Sequence, residues 1–383
     1  MSSPTTRVVI FCSLLLVSLC LAPGCQPPGP IPPNDNEPVD PGPFTLNLSI
    51  VGGTAGTVDV DPPGPTYPAG TAVELTAAAD DGFFFDRYKG DLQSSEARAT
   101  VVMDQDNDVT AVFVGTLYVS NFNIDQVHAF QGATGELLGP LLTGNPDEST
   151  FLGPFGIIPK ADGNLLVAGR ITHNVVEYEG KTGELVGIFV SDSRMESPRD
   201  MTLGPDGNLF VVDSAHNYVV EFDAETGDYL RIFTEEVGLD RPRYLLFRED
   251  GNLLVSNEET NQVAEYDGQT GEYLGAFVDT DRIAQPQGMV FHSNGNLLVS
   301  SRVTAEVLEF DGQTGEFVGV FAAGEALVEP FDLLWTPAGN LLVSQRTANN
   351  ILEFDGETGA FIRVFADEQI NFPTAMAFKP FPE

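Results

Sequence analysis

The chain has 383 residues, and its 18 Lys and Arg stand against 56 Asp and Glu, a formal net charge of −38. That acidity excludes a bulk electrostatic grip on nucleic acid, and adhesion to an anionic membrane through a basic patch. At 42 % hydrophobic residues it is no acidic disordered tail, and 39 Gly with 27 Pro suit a turn-rich, all-β chain.

Arg7 is the only charge before residue 35, and residues 8–21 form an apolar run of 14. A spanning helix needs roughly 20 residues. A short charged start, a short apolar core and small residues after it predict an export signal over 1–24. Cys12, Cys20 and Cys25 are the only cysteines, so the exported part has no disulfide to form. The core ends in Leu21-Ala22-Pro23-Gly24-Cys25. This resembles the lipobox of bacterial lipoproteins, departing at Ala22, where Leu is usual, and at Pro23. The resemblance implies a lipid on Cys25 and a place on a bacterial membrane, facing the periplasm or the exterior. Residues 25–43 follow, with eight prolines in 26–43. Such a stretch stays extended, and at ~3.1 Å per residue it makes a spacer of roughly 55 Å.

Residues 44–114 read as a small β domain of six strands: 44–50, 57–61, 72–77, 83–88, 99–103 and 109–114. Gly-, Pro- and Asp-rich turns separate them. Tyr67-Pro68-Ala69-Gly70-Thr71, Leu75-Thr76-Ala77, the stretch from Gly82 to Gly90 and Ala111-Val112-Phe113 resemble the divergent internalin-type B repeat of bacterial surface proteins. That family usually has Trp where Tyr88 stands. The resemblance implies a spacer or adhesive module, with Phe83, Phe84, Phe85 and Tyr88 in its core.

The remainder, 115–383, is repetitive. DGNLLVAG starts at 162, DGNLFVVD at 206, DGNLLVSN at 250, NGNLLVSS at 294 and AGNLLVSQ at 338, a period of 44 residues. A Glu-Phe/Tyr strand with a Thr-Gly turn keeps the same step, as does a proline followed by an apolar stretch at 154, 198, 242, 286 and 330. Each unit therefore holds four strands, a to d, and a four-stranded repeat of this length predicts a propeller blade. Residues 115–142 supply strands b, c and d without an a, and 373–380 supply an a with nothing after it. Joined, they complete a six-bladed β-propeller whose ring is closed by the C-terminal strand, leaving no open edge. The unit at 198–227 resembles an NHL repeat, with Asp213 and Asn217 at its polar positions. Related six-bladed proteins include gluconolactonase-like hydrolases, amidating lyases and many non-catalytic binding proteins.

Two positions in each unit face the channel mouth and vary where the strands do not. The residue after the proline is Phe155, Arg199, Arg243, Gln287, Phe331 and Thr374. The second residue past strand b is Arg170, Ser214, Glu258, Arg302, Arg346 and Phe122. Arg170, Arg199, Arg243, Arg302 and Arg346 thus put five of the chain's 14 arginines in these columns. Arginine recognises carboxylate or phosphate through paired donors, so the mouth is expected to bind an anion. A competing reading has these arginines neutralise Asp200, Asp213, Glu258 and Asp332 on the same face.

The expected function is non-catalytic binding of a protein, a peptide or a small anion by a monomer held to the membrane by its lipid alone. The alternative is a metal-dependent hydrolase or lyase, for which Asn121, Asp213, Asn257 and Asp332 would be the oxygen ligands of a calcium ion. The arginines beside them argue against a cation, and no cofactor is expected. His128, His173, His216 and His292 fall at unrelated places in the repeat, so a zinc cluster is not expected. The Asp-Gly-Gln-Thr-Gly-Glu segments at 267–272 and 311–316 are too short for a calcium loop and read as hairpin turns.

Overall fold

The computed structural model describes residues 42–143, 151–234 and 237–381. The export signal over 1–24, Cys25 and the spacer up to residue 41 lie outside the described residues. Within them the regular structure is β, with one short 3-10 helix at Phe122–Ile124.

The first module has seven strands: β1 (Phe44–Val51), β2 (Gly56–Asp61), β3 (Thr66–Tyr67), β4 (Thr71–Ala79), β5 (Phe83–Gly90), β6 (Arg98–Met103) and β7 (Asn107–Gly115). They form two sheets, in the orders β3-β1-β7-β5 and β2-β4-β6. β3 was not expected from the sequence. It is two residues long because prolines at 65 and 68 bracket it, and it pairs Tyr67 with Phe44 at a sheet edge. Leu75, Met103, Tyr88 and Phe113 pack between the two sheets. Tyr88 is 1 % exposed, and its hydroxyl donates to Ala97 O at 3.0 Å, giving the buried ring a partner for its polar end. Phe83 and Phe85 join this core, whereas Phe84 is half-buried and outside it.

Residues 117–378 form six four-stranded antiparallel sheets among the described residues. In the last of these, Pro373–Phe378 pairs with Leu117–Asn121, so the two ends of this region share one sheet. The proline-led strands are Pro154–Pro159, Pro198–Leu203, Pro242–Phe247, Pro286–Phe291, Pro330–Trp335 and Pro373–Phe378. Each packs against the next, and the last packs against the first, so they line a central channel. This is the arrangement of a β-propeller. It explains why the second strands read as unbroken apolar runs: Leu253–Asn257 is buried at every position, because neighbouring sheets cover both faces. The outermost strands are solvated on one side and alternate instead, as in Phe317–Ala322.

The Thr-Gly turn docks each sheet onto its predecessor. Asp267 Oδ1 accepts from Thr270 N at 2.7 Å, Gln269 N at 3.0 Å and Thr270 Oγ1 at 2.8 Å. These bonds, Thr270 N foremost, hold its carboxyl below the ordinary value. Asp311 is engaged in the same way by Thr314 and Gln313. In both segments the carboxylate therefore serves the turn. Gly271 follows with φ +76°, and a Cβ there would lie 1.8 Å from Phe233 O of the preceding sheet. Gly271→Ala is accordingly expected to cost at least about 2 kcal/mol, from the left-handed backbone and the carbonyl clash together. Urea unfolding reads this directly, and a loss below about 0.5 kcal/mol, the scale of an ordinary surface change, would rule out a tight dock.

Candidate functional site

Cross-strand register brings the two variable columns to one rim. Pro154 pairs with Gly169, Pro198 with Asp213, Pro242 with Asn257, Pro286 with Ser301, Pro330 with Gln345 and Pro373 with Asn121. The residue after each proline and the residue after each second strand therefore lie at the same end of the channel.

The rim is held by a repeated loop lock. In five of the six sheets the side chain of the residue closing the second strand accepts a backbone N–H from the loop before its proline; the sixth closes on Gly169, which has none. Asp213 takes Glu196 N and Ser197 N, Asn257 takes Asp240 N, Ser301 takes Ala284 N, Gln345 takes Val328 N and Asn121 takes Asn371 N. Asp213 also accepts from Ala215 N and His216 N. Asn121, Asp213 and Asn257 are thus each engaged with their own loops. Asp332 sits elsewhere, accepting from Leu333 N at 2.9 Å and Met376 N at 2.7 Å. No contact joins these four, and among the described residues no group of three or more His, Cys, Asp or Glu is placed to hold a metal.

The five arginines do gather at the rim, around one carboxylate. Arg243 and Glu258, both buried, form a close ion pair. Glu258 is also 3.6 Å from Arg302 and 3.7 Å from Arg241. Burial pushes the Glu258 carboxyl up, but Arg243, Arg241 and Arg302 outweigh it and hold it below its ordinary value. Arg302 additionally meets Glu329 at 3.1 Å. Among the described residues, Arg170, Arg199 and Arg346 have no carboxylate within 4.0 Å. Arg170 and Arg199 donate instead to the hydroxyls of Ser197 and Ser214. Asp200, Asp213 and Asp332 bond backbone amides and neutralise none of the five.

This leaves the mouth short of negative charge. Burial pushes the Arg243 guanidinium down to about 10 despite Glu258. Burial, reinforced by Arg243 and Arg170, pushes that of Arg199 down to about 7. Burial and the neighbouring arginines thus disfavour the charged form at both positions, and an anion beside them would relieve that penalty. Hydrogen-bonding capacity is unmet as well. Arg243 Nε, Arg302 Nε and Arg346 Nε, and the acceptors Gln287 Oε1 and Glu329 Oε2, are buried without a partner among the described residues. Such groups cost about 1–3 kcal/mol each when left unmade.

Sequence reasoning missed the residue just before each proline. Arg241, Gln285, Glu329 and Phe372 stand there with φ near +55°. Three of their amides are latched by an Asn in the turn of the preceding sheet: Arg241 N donates to Asn217 Oδ1, Gln285 N to Asn261 Oδ1 and Phe372 N to Asn349 Oδ1. Their side chains reach the arginines: Arg302 donates to Gln285, and Arg346 stacks on Phe372. This position varies between repeats as much as the two columns do, and that variation was the available signal. It also missed Tyr244, which lies in the channel beside Asp200 and Asp332 and donates its hydroxyl to Thr374 O.

A concavity of about 640 Å³ lies between the first module and the ring, and Arg87, Lys89, His292 and Trp335 are among the residues lining it. Three of its polar groups are spent internally. Lys89 donates to Ala338 O, Trp335 to Phe291 O, and His292 bonds Gly356 O. The arginine-lined mouth is therefore the candidate site.

Residues 46–116 match the family described as the divergent InlB B-repeat domain. No curated protein matches the chain. Among solved structures it is similar to a chain of a nidogen/laminin complex, with TM-score 0.58 and 14 % identity over 69 % of this chain and 98 % of that one. It is also similar to a protein of unknown function from Bacteroides caccae, at 0.55 and 17 % over 68 % and 97 %. Virginiamycin B lyase from Staphylococcus aureus matches at 0.50 and 13 % over 64 % and 78 %. At these identities the likeness establishes the fold alone. Residues 46–116 thus carry a divergent InlB B-repeat domain, and the sheets that follow form a β-propeller.

Proposed function

We propose that this is an exported binding protein, anchored by a lipid on Cys25 and raised on its Pro-rich spacer. In this reading the B-repeat module is the stalk, and a six-bladed propeller of the NHL type over 115–383 binds an anion at its mouth. The observation that carries it is the surplus of arginine at the rim, with Arg199 buried and no carboxylate beside it among the described residues. Six proline-led strands in cyclic contact support the six-bladed ring, and Asp213 and Asn217, in their loop-lock and latch roles, support the NHL likeness.

The test is calorimetric titration of the chain from residue 26 with citrate. Saturable binding is expected, and the double variant Arg170→Gln/Arg346→Gln is expected to weaken it by at least tenfold. Equal affinity in parent and variant would overturn the reading. The hydrolase or lyase alternative predicts bound metal and an activity lost to chelator, and citrate binding unchanged after chelator treatment and dialysis argues against it.

A further inference from the structure

The rim is divided. In ring order the residue after the proline is Arg199, Arg243 and Gln287 on three adjacent sheets, then Phe331, Thr374 and Phe155 on the other three. The aromatic half continues outward. Phe155 and Phe331 are buried and 5.9 Å apart between ring centroids, and Phe122 and Phe372 are half-buried and 5.4 Å apart. Phe122 contacts Phe155 at 6.3 Å and Phe372 contacts Phe331 at 6.4 Å, so the four rings form one closed cluster. Arginines stand over its edges: Arg170 over Phe122 at 5.2 Å, Arg199 over Phe155 at 4.5 Å and Arg346 over Phe372 at 4.4 Å. A guanidinium stacked on a ring keeps its N–H donors in the ring plane's direction, directed past the ring edge and open to an acceptor.

An inorganic oxyanion would use the arginine half and leave the half-exposed Phe rings wet. Taking the anion reading above as its base, we infer that the mouth is built for a carboxylate carried on a flat apolar body, that is, an aryl or arylalkyl carboxylate. The ring of such a ligand lies on Phe122 and Phe372. Its carboxylate reaches the guanidinium donors, with the unsatisfied Nε of Arg346 within the same cluster. Apolar ring surface and charge are then met by one small molecule.

The experiment titrates the chain from residue 26 with 3-phenylpropanoate, acetate, inorganic phosphate and neutral 3-phenylpropan-1-ol. 3-Phenylpropanoate is expected to bind at least tenfold more tightly than the other three, the factor one added aromatic contact supplies. Phe122→Leu is expected to bring it to within twofold of acetate measured on the same variant, and Phe122→Tyr to keep the preference. Melting temperatures of both variants confirm that the fold is retained, and the acetate titration supplies the internal standard. Equal binding of all three anions, lost in Arg170→Gln/Arg346→Gln, would overturn the aryl preference and leave the anion site standing. Binding of the alcohol as tight as the carboxylate, or no binding of any anion, would overturn both.

Discussion

Glu258→Gln is expected to destabilise the propeller by about 3–5 kcal/mol, the cost of breaking a buried pair and stranding its cation. For a ring of this size that is a fall in Tm of about 6–20 °C. Glu258 is 4 % exposed, pairs with buried Arg243, and lies within 4 Å of Arg302 and Arg241. Glutamine preserves the shape and one acceptor but removes the charge that three guanidiniums share. The neighbouring residue supplies the control. Glu259 meets Arg241 at 2.6 Å, yet both side chains are more than 40 % exposed, so Glu259→Gln is expected to change stability by no more than about 1 kcal/mol. Because an anion bound only by the native state stabilises it, citrate is expected to raise the Tm of Glu258→Gln more than that of the parent. A loss below about 1 kcal/mol, in the range of surface pairs, would mean that the arginines are neutralised by something other than Glu258.

Much of the ring was legible because its repeats are in register. The 44-residue step located the strands, and the unmatched ends at 115–142 and 373–380 located the pairing of Pro373–Phe378 with Leu117–Asn121. The rim was legible for the same reason: against near-identical buried strands, the variable residues stand out. What the spacing did not carry was the division of labour at the rim. Asp213 and Asn257 look like ligands in one dimension, but their oxygens are taken by amides some 17 residues earlier in the chain. The aromatic cluster joins Phe122, Phe155, Phe331 and Phe372 across three sheets, and no local pattern announces such a meeting. In the first module the parallel pairing of β1 with β7, as in Leu46 with Asn107, spans most of the domain and likewise has no short-range signal.

The third residue of the proline-led strands faces the channel, and there the chain places Asp200, Tyr244 and Asp332. Asp200 Oδ2 accepts from Leu245 N at 3.0 Å, which ties two adjacent strands together. Burial pushes its carboxyl up to about 7. Burial, with Asp200 nearby, pushes Asp332 well above the ordinary value. Arg199 and Arg243 lie toward the mouth, and both act on Tyr244 between the two acids. Below about pH 4 both the folded and the unfolded chain hold the Asp200 proton, and its contribution is fully present. Between about pH 4 and 7 the unfolded chain releases the proton while the folded chain keeps it, so stability falls as pH rises. Above about pH 7 the folded chain releases it too, and the loss levels off. Three pH units would amount to about 4 kcal/mol. Asp200 is only half-buried, however, open to the channel although walled by protein, and water there reduces the figure to about 2 kcal/mol. Asn at this position still accepts from Leu245 N and never ionises. Asp200→Asn is therefore expected to match the parent at pH 4 and to exceed its stability by about 2 kcal/mol at pH 8. Urea unfolding of both proteins at the two pH values measures it, and the charge effects of groups remote from Asp200 cancel in the difference. An equal difference at both pH values would mean that the Asp200 carboxyl is ionised throughout, and that the channel under the arginines is wetter than its walls imply.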